Sequence, residues 1–170
     1  MSAPDRDGRY RIDWEGTFTA GKQDVLLQGG TVGGGYAGMA ARIAQTTKDW
    51  RLIDSEGRVD VPGEGLLAKN THGQKARWMD FSVVDTATGD NGGIAILQHP
   101  STFRYPTHWH NVIDDKFPFG YFNPAPLWAE PFTLQAGKSL KVSYRILVHP
   151  GRGSKEQLDA EWNAFSKIEE

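Results

Sequence analysis

The stretch SLKVSYRILVH, residues 139–149, alternates apolar and polar side chains almost without interruption. Its apolar members fall at every second position: Leu140, Val142, Tyr144, Ile146 and Val148. Successive side chains of a β-strand point to opposite faces of a sheet, so this pattern predicts a strand with one buried face. The stretch therefore favours a β fold, and the rest of the chain extends that prediction.

Further strands are predicted on both sides of this stretch, separated by turn residues. Residues 10–19 alternate Tyr10, Ile12 and Trp14 with polar neighbours, and residues 54–57 have turn chemistry within a hairpin at 51–61. Residues 36–44 are rich in small side chains that fit either a helix or a crowded strand, and the flanking glycines favour the strand. The remaining predicted strands are residues 24–27, 75–85 with a bulge near Asp80, 94–97 and 127–134.

One helix is predicted at the end of the chain, at residues 154–168. Ser154 and Gln157 have the spacing of a capping box, while Leu158, Trp162 and Phe165 share one helical face. About nine strands and this helix predict an all-β, antiparallel β-sandwich with one C-terminal α-helix that packs on the sandwich as a lid. We expect one domain at residues 10–170 after a flexible N-terminus at residues 1–9.

Composition and charge exclude several classes of protein. The 170 residues carry a net charge of −2 with dispersed Lys and Arg, so we expect no nucleic-acid partner. The absence of cysteine excludes disulfides, thiol nucleophiles and Cys-ligated metals. The N-terminal residues lack the apolar core of a signal peptide, and no run of about 18 apolar residues occurs. We therefore expect a soluble, cytoplasmic protein without a signal peptide or a membrane span. The glycine-rich residues 29–35 lack the ending of a phosphate-binding loop and predict a flexible connection.

Residues 92–124, GGIAILQHPSTFRYPTHWHNVIDDKFPFGYFNP, carry most of the functional signal. They hold three of the five histidines, His99, His108 and His110, together with Arg104 and several aromatic residues. Imidazole and guanidinium groups are costly to bury without hydrogen-bond partners. We therefore expect these side chains to converge on one cavity of the sandwich.

Recognition of a carbohydrate or polyol is the main functional hypothesis, with an enzyme as one version of it. A histidine beside a carboxylate can transfer protons without a cofactor, and aromatic rings stack on the apolar face of a sugar. The catalytic candidates are His99, His110 and Asp80. The candidates for holding the substrate are Arg77, Trp78, Arg104, His108, Trp109, Tyr121 and Asn123. An ion pair between Arg77 and Asp80 is the structural alternative for those two residues.

Two other functions stay open. One is a non-catalytic carbohydrate-binding or structural module. The other is a cupin-like metal protein, in which His108 and His110 share a strand face and Asp114 or Asp115 supplies an acidic ligand. That pattern is incomplete, because residues 137–141 offer no third histidine. No cofactor is expected outside the cupin-like alternative, which needs a divalent metal ion.

Six separate motifs in a fixed order carry a family resemblance. They are residues 35–42 (GYAGMAAR), 72–81 (HGQKARWMDF), 93–100 (GIAILQHP), 106–110 (PTHWH), 120–124 (GYFNP) and 131–149, which begins PFTLQAGKSL and ends YRILVH. Together they resemble the bacterial PmoA-like proteins of unknown function, to which the name methane oxygenase is misapplied. The integral-membrane subunit of methane monooxygenase is a separate protein, since it spans the bilayer.

The resemblance implies a fold and a biological context. PmoA-like proteins are similar to galactose-mutarotase-like β-sandwiches and often accompany sugar-oxidising enzymes, which implies carbohydrate chemistry by association. The resemblance also implies that residues 10–165 match only the C-terminal half of a typical member, so we expect a completing partner chain or a homo-oligomer. Gln98 stands where the family commonly has an aspartate before His-Pro, and this departure weakens the expectation of catalysis.

Overall fold

Antiparallel sheets and one helix make up the described part of the chain. The computed structural model describes residues 3–29, 39–63, 65–114 and 116–168. The elements are β1 (Tyr10–Thr19), β2 (Val25–Leu27), β3 (Ala41–Ile43), β4 (Thr47–Asp54), β5 (Val59–Asp60), β6 (Trp78–Asp85), β7 (Asn91–Gln98), β8 (His108–Asp114), β9 (Phe119–Ala125), β10 (Phe132–Leu134), β11 (Ser139–Pro150) and α1 (Lys155–Phe165). The predicted all-β, antiparallel sandwich with one C-terminal helix is confirmed.

The large sheet has six strands in the order β1-β11-β7-β6-β4-β5. Strand β11, which contains the alternating stretch SLKVSYRILVH, pairs with β1 from Tyr10 opposite Val148 to Thr19 opposite Ser139. On its other side β11 pairs with β7. The strand predicted most clearly from the sequence therefore has a neighbour on each side, and most of its residues are buried because its two faces are covered by the small sheet and by the C-terminal helix.

A smaller sheet, with the order β3-β9-β8, packs against one face of the large sheet. The core between them combines aromatic and aliphatic side chains of both sheets, including Trp109, Ile113 and Phe122 from the small sheet and Met79, Phe81 and Tyr144 from the large one. A two-stranded ribbon of β10 and β2 completes the sheets of the described residues. Burial of these apolar surfaces is the main stabilising term of the sandwich.

Helix α1 packs on the opposite face of the large sheet. Its N-cap is Ser154, whose side chain accepts a hydrogen bond from the backbone N–H of Gln157, as the capping pattern predicts. Leu158 and Phe165 join a second apolar cluster with Trp78 and other large-sheet side chains. The predicted lid is thus a helix that buries the second face of the large sheet. With its 11 residues α1 is too short to cross a lipid bilayer, and the described ranges hold no other helix that could.

Several local predictions differ from the structure. Residues 127–134 form a strand only at Phe132–Leu134. The bulge predicted near Asp80 is not found there, because β6 pairs regularly on both sides through Asp80. The irregular pairing lies between Lys48 and Arg51 of β4. Residues 108–125, which show little periodicity, form the regular hairpin of β8 and β9. Of residues 36–44 only Ala41–Ile43 are a strand, and most of the glycine-rich connection at 29–35 lies outside the described residues.

Candidate functional site

Strand β8 presents two histidines on the outer face of the small sheet. His108 and His110 alternate with Trp109, whose ring lies in the core between the sheets. In the pairing of β8 with β9, His110 lies directly opposite Asn123. His110 and Asn123 are buried, and His108 is half-buried. The sequence THWHN therefore supplies both a core residue and two imidazoles on the outer face.

A segment beside β8 adds a third histidine to this face. Residues 67–75 run along the edge of β8 and are joined to it by isolated backbone bridges at both ends. His72 lies in this segment, and the centroid of its ring is 5.0 Å from that of His110. Its Nδ1 atom lies 3.1 Å from the backbone oxygen of Asn111. This contact fixes the orientation of the His72 ring next to His110.

Trp128 packs against all three imidazoles. The centroid of its indole ring is 5.0 Å from that of His72, 6.2 Å from that of His108 and 6.3 Å from that of His110. The ring of Tyr121 also packs against His110, at 5.7 Å between centroids. We call this surface the histidine–tryptophan face, and it comprises His72, His108, His110, Tyr121, Asn123 and Trp128.

Gly73 gives the Trp128 ring room to lie here. Its φ angle is 72°, and a Cβ atom at this position would come 3.0 Å from Cζ2 of Trp128. A residue with a side chain would therefore be strained in its backbone and crowded against the indole. Glycine is required at this point of the site for both reasons.

Arg104 holds the loop that carries Trp128. Its guanidinium donates hydrogen bonds to the backbone oxygens of Pro126, Glu130 and Pro131 at 3.0, 2.7 and 3.1 Å. These acceptors lie on both sides of Trp128 in the chain. The planar fork of an arginine suits several carbonyl oxygens at once. The N–H donors of Arg104 therefore position the loop that carries Trp128, which we call the site loop. The sequence-based hypothesis assigns these donors to a substrate.

Two buried polar atoms of the face lack a hydrogen-bond partner among the described residues. They are Nδ1 of His110 and Oδ1 of Asn123, in side chains whose residues are only 8% and 2% exposed. An unpaired buried polar group costs about 1–3 kcal/mol, because it has lost water and gained nothing in return. The two residues are cross-strand neighbours in the pairing of β8 with β9.

The environment keeps the three imidazoles of the face neutral at neutral pH. Burial lowers the pKa of His72, and the backbone hydrogen bond with Asn111 opposes this effect. Burial also lowers the pKa of His108 and His110; the charge of Lys75 adds to the decrease for His108, and repulsion from His72 when that ring is protonated adds to the decrease for His110. A neutral imidazole has one donor and one acceptor nitrogen, which suits it to hydroxyl groups.

Asp80 lies in the opposite layer of the molecule, beneath the segment that leads into α1. Its Oδ2 accepts a hydrogen bond from Oγ of Ser82 at 2.6 Å, and its Oδ1 lies 2.8 Å from Nε2 of His149. Asp80 alternates with core residues of β6 and is fully buried. The structure brings Asp80 to neither His99 nor His110. The imidazole partner of this carboxylate is His149, and the predicted acid–base pair is not formed.

Arg77, Trp78 and His99 also lie in the helix layer. Trp78 donates a hydrogen bond from Nε1 to Oδ1 of Asp159 at 2.9 Å, and Arg77 forms an ion pair with the same carboxylate at 3.3 Å. The partner of Arg77 is thus in α1, and not Asp80 as the structural alternative expects. The ring of His99 packs edge-on against Phe165 of α1, with 5.2 Å between centroids. These side chains hold the helix on the sheet.

The predicted site residues therefore divide among several places. The structure brings together His108, His110, Tyr121 and Asn123; it places Trp109 in the core, Arg104 under the site loop, and Arg77, Trp78, Asp80 and His99 in the helix layer. The expectation that His99, His108 and His110 share one cavity is corrected. His99 follows β7 of the large sheet, whose outer face carries α1, whereas the other two lie on the outer face of the small sheet.

Sequence reasoning missed His72, Trp128 and His149 as members of these two clusters. His72 begins the motif HGQKARWMDF, which is the signal that could have marked it. His149 ends the alternating stretch on the face of Arg145 and Leu147, the face later covered by α1. Trp128 lies in a loop, and nothing in its local sequence indicates that it returns to β8.

The structure offers limited support for a metal centre. The described residues contain no group of three or more His, Cys, Asp or Glu side chains that could hold a metal ion. Asp114, the predicted acidic ligand, accepts hydrogen bonds from the backbone N–H groups of Lys116 and Phe117 at 3.0 and 3.3 Å. Asp115 lies outside the described residues. The cupin-like alternative thus stays a prediction: His108 and His110 share a strand face, and Asp114 is engaged in a turn.

Fold and site together define a β-sandwich protein with a helix on one face and a histidine–tryptophan surface on the other. The chain belongs to DUF6807, a family of unknown function, and the match covers residues 1–163. No curated protein and no solved structure matches the chain. Membership of this family does not name a ligand, so the chemistry of the face has to indicate one.

Proposed function

We propose that the protein binds a carbohydrate or a related polyol at the histidine–tryptophan face. The observation that carries the proposal is the pair of unpaired buried atoms, Nδ1 of His110 and Oδ1 of Asn123, beside the ring of Trp128. Buried polar groups are nearly always satisfied in native proteins, so each exception calls for an explanation. A bound hydroxyl group provides one, because it can both donate and accept a hydrogen bond.

The aromatic part of the face favours a sugar over a simple polar solute. Trp128 is half-buried and packs against all three imidazoles. A sugar ring has an apolar face that stacks on an indole and an equatorial rim of hydroxyl groups that bind polar side chains. A purely apolar ligand would leave the atoms of His110 and Asn123 unpaired. The combination of one stacking ring with neutral hydrogen-bonding groups therefore supports a polyhydroxylated ligand.

We propose binding without turnover as the primary activity of this face. The acid–base chemistry of the sequence-based hypothesis needs Asp80 beside a catalytic histidine, whereas Asp80 contacts His149 in the helix layer. The arginine expected to polarise an oxygen, Arg104, donates to backbone carbonyls of the site loop. A neutral imidazole without an orienting carboxylate still donates and accepts hydrogen bonds. Recognition of the ligand therefore needs nothing beyond the residues of the face.

The experiment is isothermal titration calorimetry with a panel of methyl glycosides and inositol. We expect saturable binding that weakens about tenfold in Trp128→Ala, since aromatic stacking contributes about 0.5–1.5 kcal/mol beyond buried area. Asn123→Leu keeps the branched shape of the side chain but removes the unpaired oxygen, together with the amide group that donates to the backbone oxygen of Pro124 at 3.1 Å. It should abolish binding and lower the free energy of unfolding by about 1–3 kcal/mol, because the backbone oxygen of Pro124 loses its donor; urea denaturation checks that the variant is folded before binding is compared.

The matched control is Phe117→Ala, which removes an exposed aromatic ring from the turn between β8 and β9, at the far end of the hairpin from His108. It should bind with the affinity of the original protein. If no member of the panel binds, or if Trp128→Ala and Asn123→Leu bind as well as Phe117→Ala, the proposed function is wrong.

A further inference from the structure

An apolar cavity lies next to the loop that carries Trp128. Its volume is about 280 Å³, and its walls are almost entirely apolar, including Phe18, Leu27, Phe103, Leu127, Leu140 and Val142. A cavity of about 150 Å³ lined by such side chains stays dry and binds benzene. The cavity therefore has room for an aryl group or a short alkyl chain.

This cavity adjoins a depression beside Trp128. Gln28 and Leu127 line both the cavity and a shallower depression of about 250 Å³, whose wall also includes Trp128. Leu127 and Trp128 are successive residues of the loop held by Arg104. One loop thus presents an apolar side chain to the cavity and an indole ring to the histidine–tryptophan face.

The cavity wall is fixed in place by the same arginine. The guanidinium of Arg104 lies over the ring of Phe103, with 4.9 Å between its Cζ atom and the ring centroid. Phe103 in turn packs against Phe132 of β10, at 4.6 Å between ring centroids. Arg104 therefore contacts both a wall of the cavity and the loop that carries Trp128.

We infer that the ligand is a glycoside with an apolar aglycone, whose sugar binds the histidine–tryptophan face and whose alkyl or aryl group enters the cavity. This inference rests on the proposed function, and it names the class of ligand. The polar atoms of His110 and Asn123 select the sugar, and the apolar walls of the cavity select the group attached to it. The polar atoms do not explain the presence of the apolar cavity, and the cavity does not explain the unpaired polar atoms.

The test compares the methyl, hexyl and phenyl glycosides of each sugar in the panel, with hexanol as the probe that lacks a sugar. All are used below their critical micelle concentrations, and binding is measured by calorimetry. Each methylene transferred from water to an apolar site improves affinity about fourfold. We expect the hexyl glycoside to bind at least about tenfold more tightly than the methyl glycoside.

A substitution that fills the cavity should remove the tighter binding of the hexyl glycoside. Leu27→Trp adds bulk at a half-buried wall position of the cavity on β2, and Leu66→Trp adds the same ring at an exposed position that does not line it. We expect Leu27→Trp to bind methyl and hexyl glycosides equally, while Leu66→Trp keeps the preference. Thermal unfolding of both variants checks that they are folded before binding is compared.

The outcomes separate the two proposals. Equal binding of methyl and hexyl glycosides by the original protein overturns the inference and leaves the proposed function standing. Equal binding of hexanol and hexyl glycoside, with none of methyl glycosides, overturns both, because the cavity then acts without the sugar site. Absence of binding by every probe also overturns both. A hexyl preference that survives in Leu27→Trp shows that the aglycone lies elsewhere and overturns the inference.

Discussion

Nε2 of His149 lies 2.8 Å from Oδ1 of Asp80, in a pair that is buried between the large sheet and the segment leading into α1. The backbone encloses this pair closely. A Cβ atom on Gly93 would come 2.6 Å from Cε1 of His149, and one on Gly153 would come 2.9 Å from Oδ2 of Asp80. The glycines are therefore part of the cluster, since no larger residue fits beside it without displacement.

The first prediction concerns the contribution of this pair to stability. Asp80→Ala and His149→Ala should each lower the free energy of unfolding by about 3–5 kcal/mol, because removing one partner leaves the other buried charge without its counter-charge. The double variant should be destabilised by less than the sum of the two. Urea denaturation of the four proteins measures the coupling. Additive losses would show that the two side chains act independently.

The second prediction concerns the pH dependence of stability. Burial alone would lower the pKa of His149, but the hydrogen bond and the negative charge of Asp80 outweigh it and raise the pKa above the ordinary value of 6.5. The folded state thus holds this proton more tightly than the unfolded state. The stabilisation from His149 is fully present below pH 6.5 and is lost as the pH rises through the raised pKa.

The difference between the original protein and His149→Gln isolates this effect. The lowered pKa values of the histidines of the histidine–tryptophan face change the free energy of unfolding with pH in the opposite direction. These contributions are the same in both proteins, so they cancel when the two are compared at each pH. The stability advantage of the original protein should therefore shrink as the pH rises above 6.5. An advantage that grows with pH contradicts the assignment of the His149 proton.

The fold could be predicted from the sequence wherever one periodicity dominates. The alternation of residues 139–149 and of residues 10–19 predicts β11 and β1, which pair along the whole length of β1. The capping pattern at Ser154 predicts the start of α1. These signals are local, so they do not depend on how distant segments meet.

The candidate site was only partly predictable, because its members come from distant segments. The alternation in His108-Trp109-His110 places both histidines on one face, which needs only strand geometry. His99 is close to them in sequence but belongs to the other sheet, and no local pattern marks that crossover. Trp128 reaches the face through a loop whose shape depends on a guanidinium more than 20 residues away, Arg104. Long-range contacts of this kind produce no periodic pattern in the sequence.

The third prediction concerns the pH dependence of ligand binding at the histidine–tryptophan face. The pKa values of His72, His108 and His110 are lowered, chiefly by burial. The neutral rings persist above pH 6.5, and protonation below it removes acceptor nitrogens and places positive charges side by side. Affinity for the glycoside should be constant from pH 7 upward and should fall below pH 6.5. Calorimetry at each pH measures this, and a fall in affinity on the alkaline side contradicts it.

The fourth prediction concerns the attachment of α1. Asp159 accepts hydrogen bonds from the buried indole of Trp78, from Arg77 and from Lys155. Asp159→Ala should lower the free energy of unfolding by about 1–3 kcal/mol, since it leaves the Nε1–H group of Trp78 buried without a partner. Glu156→Ala, at an exposed position in the first turn of the same helix, should lower stability by less than about 1 kcal/mol, the contribution of a carboxylate at a helix N-terminus. Equal effects of the two variants in urea denaturation would show that Asp159 does not hold the helix.

The fifth prediction concerns Arg104, whose backbone adopts a left-handed conformation with a φ angle of 59°. Arg104→Lys keeps the charge and this backbone conformation, but a lysine ammonium cannot reproduce the planar fork that binds three carbonyl oxygens. The variant should lose about 1–2 kcal/mol of stability and bind methyl glycosides more weakly, because the loop that carries Trp128 is released.

Two controls separate the backbone hydrogen bonds of Arg104 from its charge. Glu130→Ala removes only the exposed ion pair with Arg104, which should be worth less than about 1 kcal/mol and leave binding unchanged. Arg152→Lys makes the same substitution at a distant loop arginine, which donates a single bond to the backbone oxygen of Asp49. Proteolysis within residues 126–131 should become faster in Arg104→Lys than in either control. Equal proteolysis in all three would show that the guanidinium does not hold the site loop.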